Sequence, residues 1–280
     1  MKPLLIIPPA PARWQSLQGL LGHKGPLWLE DIQKRLHDGV AESRDAFAVV
    51  ANGGQTLAHA CINGREGVGV LGHMFTRADH RGRGLARKVL TTLLSWFDMS
   101  GGQWLFLGCH AELLELYGRF GFEPLHRVTR APIDEVTMCR RSKGAAGVGP
   151  LYGAAGPVIV RDVTRADWPL LVALQQYQPG FDPRIAADES AVAAEFSMLE
   201  LLHQQEAGQT LLLAAWQGPR IAALATLATQ HPGPRTYAAL LPHNGAPAEL
   251  RETLLKEART RGYPQVEFPM EALAGAGGEV

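Results

Sequence analysis

The side chains best equipped for chemistry gather in one stretch, Ala78-Asp79-His80-Arg81-Gly82-Arg83-Gly84-Leu85-Ala86. Arg77, Arg81, Arg83, Arg87 and Lys88 crowd there against a single nearby acid, Asp79, so the local field is positive. Gly82 and Gly84 let the backbone turn tightly and approach a ligand closely. Where such a loop opens onto a helix, the first N–H groups are unpaired and lie at the positive end of the helix dipole. Phosphate suits that arrangement. Two phosphate cradles are excluded. No Gly-x-x-x-x-Gly-Lys-Ser/Thr run occurs, and Arg87 stands where Gly-x-Gly-x-x-Gly requires its third glycine.

The elements that must position this loop are legible on either side. Val68-Gly69-Val70-Leu71-Gly72-His73-Met74-Phe75 reads as a buried strand leading in, and Leu85, Val89, Leu93 and Phe97 recur at helical spacing leading out. Upstream, a strand is expected at Leu4 to Ile7, a helix at Ala12 to Leu21, and a second helix at about Leu27 to Val40 with Ile32 and Leu36 on one face. The β-rich runs 46–50 and 56–62 flank Asn52-Gly53-Gly54, a strong hairpin signal. Trp104 to Leu107 reads as a further buried strand, and strands near Glu123–Val128 and Asp134–Cys139 complete a sheet.

Arg81-x-x-Gly84-x-Ala86 resembles the Arg/Gln-x-x-Gly-x-Gly/Ala signature of the GNAT acyltransferase superfamily, and Phe75-Thr76-Arg77 looks like that family's approach to the loop. Ala78 departs from the pattern, since proline is common there. A second motif follows the Trp104 strand. Leu116-Tyr117 and Gly121-Phe122 fit the family's Asn-x-x-Ala-x-x-Leu-Tyr-x-x-x-Gly-Phe, with His110 in place of the asparagine and Leu113 in place of the alanine. The resemblance implies an α/β fold with a central twisted mixed sheet flanked by helices. It implies acetyl-CoA as acyl donor, with transfer to an amine.

On that resemblance, the amides of residues 82–86 (Gly82, Arg83, Gly84, Leu85, Ala86) hold the pyrophosphate with the Arg81 and Arg83 side chains. The strand edge at Phe75, Thr76 and Arg77 pairs with the pantetheine amides, and an amide there polarises the thioester carbonyl. Tyr117 matches the family position from which a phenol protonates the departing thiolate; the alternative is a core tyrosine. His73 is the candidate base, against a packed histidine in an apolar strand. His110 stands either as a hydrogen-bond partner of pantetheine or as a helix-start residue. Cys109 reads as a buried thiol rather than a nucleophile, and Glu112 and Glu115 either attract a cationic amine or are solvated.

At 280 residues the chain has room for two domains of about 130 each. Hydrophobic residues make up 46% and charged ones 19%, with no net charge, which describes a globular protein and gives no sign of a nucleic-acid partner. Three scattered cysteines fit neither a disulfide framework nor a zinc site, so no metal is expected and the cytoplasm is the expected address. No apolar run reaches the roughly 18 residues of a membrane span.

The expected division is a catalytic domain over 1–141, a small-residue linker over 142–157, and a second domain over 158–280. The last looks like a degenerate, truncated copy of the first, which would make the arrangement tandem. Gly84, Leu93, Leu94 and Gly101 recur at one constant offset as Gly245, Leu254, Leu255 and Gly262. The counterpart loop, Leu241 to Pro247, has no arginine, and Pro247 removes an N–H from it. The expected function is a small-molecule amine N-acetyltransferase, monomeric or homodimeric. A non-catalytic acyl-CoA-binding regulatory module and a protein N-acetyltransferase are the alternatives.

Overall fold

Gly53 and Gly54, both at positive φ, turn β2 (Ala46–Asn52) into β3 (Gln55–Arg65), and Gly67 does the same between β3 and β4 (Val68–Thr76). This antiparallel meander is the middle of a seven-stranded sheet in the computed structural model, which describes residues 1–130, 133–145, 156–177, 191–228, 236–241, 248–262 and 266–267. The remaining strands are β1 (Leu4–Ile6), β5 (Trp104–His110), β6 (Glu123–Arg130) and β7 (Ile133–Arg141), in the order β1-β2-β3-β4-β5-β7-β6. Only β4 and β5 run parallel; every other neighbour pair is antiparallel. The sheet is therefore mixed, as a mixed α/β fold requires.

Period-two alternation divides the strand residues between two layers. One face carries Ala48, Val50, Ala60, Ile62, Leu105 and Leu107 against Val89, Leu90, Leu93 and Phe97 of α3 (Leu85–Met99). The other carries Phe47, Val49 and Cys61 against Leu17 and Leu21 of α1 (Trp14–Leu21) and Ile32 and Leu36 of α2 (Pro26–His37). Pro26 opens α2 at its first position, where a missing N–H costs nothing. The short α4 (Leu114–Gly118) follows β5 through a 3-10 turn at Ala111–Leu113.

Contact density divides the chain into two units. The first is Met1–Ala146 with Ala166–Ala173 and Ser190–Phe196; the second is Gly147–Arg165 with Leu174–Glu189 and Ser197–Val280. A five-stranded sheet is built from β8 (Ile159–Asp162), β9 (Thr210–Gln217), β10 (Arg220–Ala228), β11 (Thr236–Leu241) and β12 (Val266–Glu267), in the order β12-β11-β10-β9-β8. Its strands are antiparallel except for β11 and β12, which are parallel. Helices α5 (Trp168–Tyr177), α6 (Ala191–Glu206) and α7 (Ala248–Thr260) complete the described α-helices, with Leu250, Leu254 and Ala258 of α7 packed on β9 and β10. Strand order and sense thus repeat those of β1 to β5, with α7 between β11 and β12 in sequence as α3 is between β4 and β5. The loop expected to be a stripped counterpart of the phosphate loop, 242–247, lies outside the described residues.

Candidate active site

The parallel pairing of β4 with β5 is brief. Val68, Gly69 and Val70 face Trp104, Leu105 and Phe106, and the pairing stops there. A Cβ on Gly69 would stand 2.8 Å from the Phe97 ring and 3.0 Å from Leu105, so only glycine allows this close seam beneath α3. Beyond it β4 stays with β3 as far as Thr76, while β5 stays with β7 as far as His110. The two strands separate into a slot.

A β-bulge lies on β4 where the slot opens. The register passes from Cys61–Gly72 to His59–Phe75, which leaves an extra residue on β4, and His73 takes a left-handed φ of 55°. A bulge re-aims backbone N–H groups out of the ladder, which is how a strand interior comes to offer a donor to a ligand.

The loop expected to bind phosphate follows. Ala78–His80 form a 3-10 turn, Arg81 is extended, and Gly82 and Gly84 adopt φ of 73° and 70°. A Cβ at either glycine would meet nothing within 4 Å, so both face open space. Gly84 caps the 15-residue α3 without a side-chain hydrogen bond, and the helical ladder starts with Lys88 N–H donating to the Gly84 carbonyl at 3.2 Å. The preceding amides, including those of Leu85, Ala86 and Arg87, have no carbonyl one turn earlier. These residues fit a pyrophosphate cradle.

The basic side chains fold back onto the stem of the loop. Arg77 grips Asp79 with two bonds of 3.1 and 3.0 Å, Arg83 donates to the Asp79 carbonyl at 3.2 Å, and Arg81 Nε donates to the Thr76 carbonyl at 3.3 Å. The Arg81 guanidinium also stands 5.9 Å from the centre of the Phe75 ring. Hydrogen bonds from Arg77 and then His80 hold the Asp79 carboxyl well below its ordinary range. The phosphate-facing donors of this loop are thus its amides first, with the arginines tethered beside them.

Tyr117, buried on α4, reaches β4 beyond the seam, with its hydroxyl 3.8 Å from the Met74 sulfur. Its ring packs edge-on against Phe122 at 5.9 Å. His73 is half-buried with its ring 4.8 Å from Trp28; burial first, then Lys24 and His59, lower its pKa to about 3, so the imidazole is neutral and weakly basic. His110 ends β5 in an exposed position opposite Glu135 and starts the Ala111–Leu113 turn. Cys109 is buried 3.8 Å from the Met138 sulfur, and burial pushes its thiol up to about 11, which leaves no thiolate for nucleophilic attack. Glu115 pairs with Arg119 on the exposed side of α4.

Sequence reasoning missed three features. Arg35 lies buried between Asp31 at 2.8 Å and Asp45 at 3.1 Å, which the apolar face of Ile32 and Leu36 gave no sign of. His59 is fully buried on β3, and burial lowers its pKa to about 4. The α1–α2 turn lies over β4, with the His23 ring tilted against Phe75 at 4.3 Å. Among the described residues no group of three His, Cys, Asp or Glu is gathered for a metal ion, and no helix is long and apolar enough to cross a membrane.

Solved structures are similar to about half of the chain at low identity. ElaA from Escherichia coli is 18% identical, with 50% of this chain and 100% of that one covered at a TM-score of 0.42. The ribosomal-protein-S18-alanine N-acetyltransferase from Escherichia coli is 16% identical over 52% and 97% of the two chains, also at 0.42. An aminoglycoside 6'-N-acetyltransferase complexed with coenzyme A is 12% identical over 50% and 97%, again at 0.42. No curated protein sequence matches the chain. One protein-family model does match, described as the acetyltransferase (GNAT) domain, and the match covers residues 43–124, from β2 through the loop and α4.

Proposed function

We propose that the chain transfers an acetyl group from acetyl-CoA to a primary amine of a small molecule by direct attack. One observation carries the reading. A slot between β4 and β5 ends at one side in a glycine cradle at a helix start, and has Tyr117 against β4 at Met74. Bound acetyl-CoA would supply an activated thioester.

The chain's own groups divide the remaining work. Amides of residues 82–86 hold the pyrophosphate, and the free edge of β4 beyond Val70 aligns the extended arm as an added strand would. The amide exposed at the His73 bulge donates to the thioester oxygen as negative charge develops there. Tyr117 donates its proton to the departing thiolate, and the proton that the attacking nitrogen loses passes to water and restores the phenol. Cys109, with its raised pKa, supports direct transfer over an acyl-enzyme. The second unit is proposed to be a degenerate copy of the same fold, on the strength of its repeated strand order and sense.

Calorimetric titration with acetyl-CoA tests the reading. One site per chain is expected. It should be lost in Arg81→Glu, which puts negative charge beside the amides. Tyr117→Phe should bind acetyl-CoA as the wild type does but turn over roughly a hundredfold more slowly. Absence of binding, or binding indifferent to Arg81→Glu, refutes the proposal.

A further inference from the structure

The acceptor side of β4 carries an unusual set of charges. The His23 ring lies tilted against Phe75 at 4.3 Å and Trp28 packs edge-on against His73 at 4.8 Å. These two contacts pin the α1–α2 turn at both ends, so the residues between them, Lys24 among them, span the β4 stretch that contains the bulge. Lys24 is half-buried, and among the described residues its side chain has no ion pair or hydrogen bond. Burial first, and then its charge, lower the pKa of His23, His59 and His73.

The nearby acids are already engaged. Asp31 and Asp45 both close on Arg35, at 2.8 and 3.1 Å. Beneath the turn, His59 is fully buried opposite Phe75, and neither of its ring nitrogens makes a hydrogen bond of good geometry. Asp79, which lines a cavity with Phe75, is likewise held by Arg77, so an incoming amine meets one ammonium, neutral imidazoles and, among these described acids, carboxylates already gripped by arginine. A simple amine would arrive as a cation and be repelled. A molecule that carries its own carboxylate would be drawn in, because a half-buried ammonium without a counter-ion is stabilised by one.

We propose that the acceptor bears a carboxylate beside its amine, as amino acids do, and that Lys24 on the α1–α2 turn receives this carboxylate with His23 at its side. The inference rests on the acetyl-transfer reading above and specifies its acceptor. Lys24 then has a second effect. Positive charge close to the substrate ammonium lowers that group's pKa, which raises the fraction present as the free amine that attacks. Neutral His73, on the bulge where the slot opens, is left to accept or relay a hydrogen bond.

The experiment is an acetylation screen with acetyl-CoA and two matched panels: the proteinogenic amino acids, and the same side chains as decarboxylated amines and as carboxamides. At least one amino acid should be acetylated with kcat/KM more than about tenfold above both counterparts. Lys24→Met should raise KM for that amino acid by roughly ten- to a hundredfold with acetyl-CoA affinity unchanged, and Lys24→Arg should restore most of the loss. Equal or faster turnover of the amines overturns the inference, as does a Lys24→Met variant with unaltered KM. If acetyl-CoA binds but neither panel reacts, the carboxylate inference fails and donor binding stands. If acetyl-CoA does not bind, the acetyl-transfer reading itself fails.

Discussion

Acidification should weaken this protein before its carboxylates titrate, and His59 is the residue that makes the effect measurable. In the unfolded chain its imidazole has the ordinary pKa of 6.5, whereas burial lowers it to about 4 in the folded state. The sign follows directly. Above 6.5 neither state is protonated and stability is complete; as pH falls from 6.5 toward 4 the unfolded state binds a proton that the folded state refuses. Between about pH 7 and about pH 5 the loss from this one group amounts to about 2 kcal/mol, a large part of a small domain's stability. Urea unfolding at the two pH values measures it, with His59→Phe as the comparison. The phenyl ring retains the stack on Phe47, now at 5.8 Å, and cannot titrate. His73 adds loss of the same sign, and Asp45, whose pKa burial raises, gains stability as pH falls; both are common to the two proteins and largely cancel in the difference. The variant should therefore lose about 2 kcal/mol less than the wild type over the interval. Parallel losses in the two proteins would refute the account of His59 as a neutral buried imidazole.

Two further outcomes follow from the geometry. Gly84→Ala forces a side chain into the left-handed conformation at φ 70° and into the open space of the cradle; it should cost about 1 kcal/mol in urea unfolding, with a much larger fall in acetyl-CoA affinity by calorimetry. Arg35→Met removes the guanidinium that holds Asp31 at 2.8 Å and Asp45 at 3.1 Å and should cost about 3–5 kcal/mol, part of which a second change, Asp45→Asn, recovers; a loss below about 1 kcal/mol would mean that the acids are not held by Arg35.

Much of the architecture is visible in the residues because local periodicity and turn chemistry decide it. Leu17, Leu20 and Leu21 recur at helical spacing and are buried, and Gly53-Gly54 turns the hairpin as expected. The helix after the loop shows its buried face in Leu85, Val89, Leu93 and Phe97. What stayed hidden depends on residues far apart in sequence. Arg35 looks like a surface residue of α2 until Asp45, from the next segment, is brought to 3.1 Å. The bulge at His73 leaves no trace in Val68 to Phe75, because an apolar run with glycines reads equally well as a regular strand. Arg81 was legible as a loop arginine, but not its attachment to the Thr76 carbonyl, which only the turn at Ala78–His80 brings about. The stretch of β4 under the α1–α2 turn was the least legible, because Lys24 is set there by the tilted contact of His23 with Phe75 and the edge-on contact of Trp28 with His73.

The brevity of the β4–β5 seam has a mechanical consequence. Three residue pairs join a four-stranded half, β1 to β4, to a three-stranded half, β5 to β7. Past Val70 the facing edges are sheet edges in the interior of a domain, with backbone groups that a neighbouring strand would ordinarily occupy. A molecule laid along them acts as a splint between the halves. Filling the slot then stabilises the domain by mass action, and it should slow hydrogen exchange most at the β4 amides beyond the seam, where the ligand-free sheet has least to hold it closed. The cohesion of the sheet and the occupancy of its slot are one equilibrium.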